Sequence, residues 1–241
     1  MSSLLAVFVT LVFVTGAATA ASSPACDRSV QQILRGNYDA ALRQLSGAKT
    51  SGDAPGEVEN LRGLALLLEG QTAKALASFD KALELQPSLQ AARFNRALAL
   101  MRNGDHGKAA SELEKIYADE HSALRADAAY HLGIAHDRMG RPAEAETWLD
   151  RAMILDPKLD AALLYVGMLR ERRGDLQRAG RAYLDYLERY PKSSSALLRF
   201  GVSAQKAGRI DVAKTYLNRA IAAAPNSYEA VEARKYLVMW E

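Results

Sequence analysis

An all-α protein made of repeated helix-turn-helix hairpins is what this 241-residue chain predicts, on three observations. Apolar residues make up 49% and charged residues 24%. Ala, Leu, Glu, Lys and Arg fill the long middle region, and these side chains lose least on entering a helix. Glycines stand at Gly36, Gly70, Gly104, Gly140, Gly174 and Gly208, at intervals of 34, 34, 36, 34 and 34 residues. Each is followed five residues later by an alanine (Ala41, Ala75, Ala109, Ala145, Ala179, Ala213) and nine later by a bulky residue (Leu45, Phe79, Leu113, Leu149, Tyr183, Leu217). A period of this length marks an array of supersecondary units that bury their apolar faces against one another.

Each part of the period has a physical task. The glycine ends a first helix, because it takes the left-handed conformation of a tight exit without a Cβ clash. Pro87, Pro157, Pro191 and Pro225, seventeen residues after their glycines, end the second helix for want of an amide hydrogen. Small residues such as Gly133 and Ala145 sit where two helices cross closely. The missing proline at His121 coincides with a two-residue insertion in "YADEHSA", which predicts a looser joint with an altered angle there.

These residues closely resemble the tetratricopeptide repeat, a 34-residue helix-turn-helix with Ala-x-x-x-Phe in its second helix and a closing proline. The resemblance implies an all-α, right-handed superhelical solenoid. Five complete repeats are assigned to 56–89, 90–125, 126–159, 160–193 and 194–227. A partial first repeat covers 21–55, with "CDRSVQQILRG" lacking the small crossing residue and "SGAKTSGDAPG" reading as a flexible connection. Residues 228–241 form a capping helix, with Val231, Leu237, Val238 and Trp240 inward and Glu229, Glu232, Arg234 and Lys235 toward water.

Residues 1–20 read as a secretory signal: residues 1–26 carry no charged side chain, Leu4 to Val14 is apolar, and "ATA" at 18–20 is an Ala-x-Ala cleavage signal. The n-region has no Lys or Arg. The alternative is an uncleaved anchor, because Leu4 to Ala25 is 22 uncharged residues, long enough to span a bilayer. Cys26, the single cysteine, permits no intramolecular disulfide and no thiolate zinc site. It sits too far past the apolar core to match a lipid-modified N-terminus and reads as a lone thiol near a flexible end.

The resemblance implies a concave face, lined by the first helix of each repeat, that binds a peptide or a partner's helix. Leu64, Leu98, Ile134, Met168 and Val202 follow the crossing residues, and Asn60, Phe94, Tyr130, Leu164 and Leu198 stand four before them, so both series share one helical face. The family often has asparagine in the first series. Here all five members are apolar, which predicts an apolar groove, unless these residues simply pack between helices. Arg102, Arg138, Arg172 and Lys206 form a basic rim, or complement the negative ends of their helices.

A net charge of +3 without a run of like charges gives no nucleic-acid footprint. His131 and His136 are five apart, off the spacing that puts two imidazoles on one helical face. There is no phosphate loop and no Gly-x-Ser-x-Gly elbow. The reading is an exported, periplasmic, non-catalytic protein-binding module with no cofactor, metal or small-molecule partner, acting as an adaptor or assembly factor in a bacterial envelope. A membrane is a partner only if the N-terminal segment is retained. The competing readings are a scaffold that self-associates through "RAYLDYLERY", Arg181 to Tyr190, and a membrane-anchored subunit of an envelope machine.

Overall fold

The computed structural model describes residues 24–47 and 54–239, and 13 helices lie among them. In chain order they are α1 (Pro24–Leu34), α2 (Tyr38–Gly47), α3 (Pro55–Glu69), α4 (Thr72–Leu85), α5 (Gln90–Asn103), α6 (His106–Ala118), α7 (Arg125–Arg138), α8 (Pro142–Leu155), α9 (Asp160–Arg172), α10 (Leu176–Arg189), α11 (Ser194–Lys206), α12 (Ile210–Ala223) and α13 (Tyr228–Val238). The chain divides into two compact units, Met1–Arg141 and Pro142–Glu241. The signal segment, Trp240 and the connection at 48–53 lie outside the described residues. No described helix is long and apolar enough to cross a membrane.

The hairpin geometry follows from the period. All six turn glycines have positive φ, between 75° and 97°. At Gly70 (φ 97°) the chain leaves α3 through paired bonds, Gly70 N–H to the Leu67 carbonyl at 3.1 Å and Gln71 N–H to the Leu66 carbonyl at 2.8 Å. This is the left-handed exit that satisfies the last carbonyls of a helix. The six alanines and the six bulky residues of the period are all fully buried. Each buried Leu or Phe contributes about 1.5–3 kcal/mol of transfer free energy.

The bulky residue rests on the crossing residue sixteen positions earlier. A Cβ built on Gly63 would lie 2.5 Å from Phe79 Cε1, and one on Gly167 would lie 2.7 Å from Tyr183 Cε1. Only glycine lets those rings reach the neighbouring backbone. The same offset corrects the reading of the first repeat: Ser29, sixteen before Leu45, is the small crossing residue, fully buried, with its hydroxyl donating to the Ala25 carbonyl at 2.9 Å. Cys26 is buried within α1, 4% exposed, and is not a thiol on a loose end.

In the first unit α1, α3 and α5 lie side by side, with α2 and α4 packed against them. The joint between α6 and α7 is not loose. His121 N–H donates to Asp119 Oδ1 at 3.0 Å, Leu124 N–H to Ser122 Oγ at 3.2 Å, and Arg125 Nε to the Tyr117 carbonyl at 3.1 Å, while Gln90 of α5 bridges Asp119 and Ser122. Side chains replace the stiffness that the proline supplies elsewhere. Glu59 and Glu112 are buried carboxylates held by cations from their own and adjacent helices, Arg62 and Lys81 on the first, Arg93, Arg96 and Lys115 on the second. Burial pushes the Glu112 carboxyl up, but hydrogen bonds from Lys115 and Arg96 prevail and hold it below its ordinary value.

In the second unit α9, α11 and α13 lie side by side around a core of Tyr183, Leu187, Leu197, Phe200 and Leu217. Helix α13 closes this core with Ala230, Ala233, Tyr236 and Leu237. Val231 and Val238, expected to point inward, are 46% and 65% exposed. The small residues at 230 and 233 let the helix approach closely, which turns the valines out.

Candidate partner-binding face

The side-by-side first helices present the groove residues, and the two units differ. On α3, α5 and α7, Asn60, Leu64, Phe94, Leu98 and Tyr130 are buried, and Ile134 is half-buried. On α9 and α11, Leu164, Met168, Leu198 and Val202 are all half-buried and lie at the fringe of the core. Each unit thus brings its own set together. In the first the set is largely interior to the helix packing, and in the second it forms an apolar strip with solvent access.

The reason is the next column of the sequence. Asn95 lies one residue beyond Phe94, and its amide donates to Asn60 Oδ1 at 3.0 Å, joining α3 to α5 through two buried side chains. His131, one beyond Tyr130, is buried with its ring edge-on to Phe94 (5.3 Å) and to Tyr130 (4.9 Å), and its Nδ1 has no hydrogen-bond partner. Burial lowers its pKa to about 4 and keeps the imidazole neutral. Polar and aromatic side chains thus close the helix–helix seams of the first unit. The corresponding places on α9 and α11 hold Tyr165 and Arg199, both half-buried. Asn95 and His131 were visible in the sequence as neighbours of the groove columns, but their contacts span 35 and 37 residues, beyond any single-helix pattern.

The rim cations Arg102, Arg138, Arg172 and Lys206 are all exposed. Arg102 Nη1 donates to the Leu67 carbonyl at 2.6 Å, at the C-terminal end of the neighbouring α3, where a cation meets the helix dipole favourably. Lys206 Nζ lies 2.5 Å from Glu171 Oε1, and that carboxylate also accepts from Tyr183 Oη–H at 2.8 Å. Burial, then the Glu171 charge, pushes the Tyr183 phenol up from its ordinary range. The two cations thus join consecutive first helices within their own units. Among the described residues no group of three His, Cys, Asp or Glu side chains is placed to hold a metal ion.

Comparison with known proteins agrees with the repeat fold. Models described as tetratricopeptide repeat match residues 35–89, 60–123 and 94–160, and 161–193 and 195–227. Among solved structures, the chain is similar to PilW, described as a widely conserved type IV pilus biogenesis factor (TM-score 0.80, 20% identity, 88% of this chain and 96% of that one). It is also similar to PilF of Pseudomonas aeruginosa (TM-score 0.74, 18% identity, 88% and 96%). A third is YrrB, described as a TPR protein with an unusual peptide-binding site (TM-score 0.56, 25% identity, 79% and 97%). No curated protein sequence matches the chain.

Proposed function

We propose, from the premise that the chain belongs to the tetratricopeptide repeat family, that it is a non-catalytic adaptor which holds a peptide or helix of a partner protein on the apolar strip of its second unit. The observation that carries this reading is the contrast between units: all of the column residues but Ile134 are buried in the first, while Leu164, Met168, Leu198 and Val202 keep solvent access in the second. Apolar side chains that keep solvent access are where a partner gains from desolvation. Exposed Arg172 and the Lys206–Glu171 pair flank the strip and set the orientation of what binds. The similarity to YrrB supports a peptide as ligand. The uncharged first 26 residues with their Ala-x-Ala support export, and an adaptor or assembly factor of a bacterial envelope is the role we infer for the exported chain.

The test is site-specific photo-crosslinking in cells, with the crosslinker at Met168 or Val202 of the full chain. One adduct at both positions, lost on Leu198→Glu in a protein of unchanged helicity, is the expected result. Adducts that form equally from a position on α10 and survive Leu198→Glu would move the function off the strip.

A further inference from the structure

A notch in the second unit, sharing no residue with the strip, is lined by Gln177, Gly180, Arg181 and Leu184 of α10, Phe200 of α11 and Arg209 at the start of α12. Its volume is about 430 Å³, within the range of about 300–1,000 Å³ typical of ligand pockets. Three features bear on what it can hold. The first is Gly180: a Cβ there would lie 3.3 Å from Phe200 Cε2 and 3.5 Å from Arg209 Nη2. The residues six beyond the other turn glycines are Leu42, Leu76, Ala110, Glu146 and Lys214, so of the six equivalent positions this is the one without a side chain.

The second is Arg209. It is the N-cap residue of α12 and makes no side-chain capping bond, whereas Asp175, at the same place before α10, accepts from the Arg178 amide. An acceptor is what an N-cap needs, and arginine has none. The guanidinium lies instead over Gly180, at the mouth of the notch. The third is pairing. Among the described residues of this unit, Arg170 and Arg173 are paired with Glu146, Arg189 with Asp160 and Lys206 with Glu171, while several exposed cations, Arg151, Lys192 and Arg219 among them, form no ion pair. Arg181 and Arg209 are exposed and have no ion pair among the described residues. Between them the floor is apolar, with buried Phe200 at the bottom and Leu184, 37% exposed, as a wall.

We propose that this notch is a second docking site, for a partner-protein segment carrying an Asp or Glu carboxylate beside a bulky apolar side chain. The carboxylate bridges the Arg181 and Arg209 guanidiniums, whose planar forks match its geometry. The apolar side chain fills the space over Gly180 and Phe200. Two unpaired arginines over an apolar floor favour an acidic, apolar occupant by charge as well as by shape.

The test is selection from a randomised heptapeptide display library on the purified full chain, on Arg181→Glu/Arg209→Glu and on Met168→Glu. Both arginines are exposed and unpaired, so the reversal keeps the fold, which circular dichroism checks. Expected is a class of peptides with Asp or Glu next to Phe, Tyr or Leu that binds the wild type and Met168→Glu alike. Its Kd rises at least about tenfold on the charge reversal, as for other close charge pairs at interfaces. Gly180→Leu, which fills the notch while keeping both arginines, also abolishes it. Absence of that class, or its equal recovery on the reversal, overturns the proposal. Loss on Met168→Glu alone assigns those peptides to the strip, which overturns the notch and leaves the adaptor reading standing. A full chain that sediments as a dimer and dissociates on the reversal replaces the partner segment by a second copy, and overturns it too.

Discussion

Gly63 and Phe79 show how little room one residue has in this fold. The ring sits where a methyl group on residue 63 would be, 2.5 Å from Cε1. Gly63→Ala therefore forces the fully buried ring off its rotamer and is expected to cost about 1–3 kcal/mol in urea unfolding, the usual penalty of overpacking. The groove columns divide in the same way. Leu98→Asp places a charge at a buried site and is expected to cost about 3–5 kcal/mol, whereas Met168→Glu, half-buried at a fringe, stays within about 1 kcal/mol. Paired denaturation curves measure both. His131 adds a pH signature. Its folded pKa, about 4, lies below its unfolded value of 6.5, so the unfolded chain takes up the proton first as pH falls. The stability it contributes is complete above about pH 6.5 and is lost as pH falls toward 4. Between pH 7 and pH 5 the loss is about 2 kcal/mol, and His131→Phe is expected to remove that slope.

At the scale of a helix, α13 depends on its first residue. Ser227 Oγ accepts from the Ala230 amide at 3.2 Å, and an 11-residue helix is too short to persist without such help and its packing. Ser227→Ala is expected to cost about 1 kcal/mol, seen as faster amide exchange across α13. The helices were legible in the sequence because their punctuation is local: a glycine that must take positive φ and a proline that cannot continue a helix each act at their own position. Ser29 was missed because it breaks the Gly/Ala habit while keeping the small size that matters. The inward face of α13 was misread because hydrophobicity alone ranks Val231 above Ala230, whereas the close approach to α11 and α12 rewards the smaller side chain. The joint at 119–124 was misread because its order comes from Gln90, some thirty residues away. The spacing of four puts each pair of groove residues on one face of its own helix. Which members stay accessible was not legible, since Asn60–Asn95 and Phe94–His131 are contacts between repeats.

At the scale of each compact unit, stability is a sum of nearest-neighbour interfaces. Deleting residues 228–241 removes Ala233, Tyr236 and Leu237 from the core of the second unit. The expected result is faster exchange in α11 and α12 with no change in α3 to α5, measured by hydrogen exchange with mass spectrometry. Two arrays of one repeat thus carry different surfaces, the first with its seams closed by asparagine, histidine and aromatic rings, the second with an apolar strip.

The sixteen-residue pairing of a crossing residue with a bulky one occurs in both units, at Gly63 and Phe79 and again at Gly167 and Tyr183. It lies wholly within one hairpin, so a duplicated 34-residue stretch of coding sequence brings both partners along with the turn glycine between them. Gene duplication can lengthen or shorten such a chain one hairpin at a time, with no other position having to change in step for the new hairpin to close.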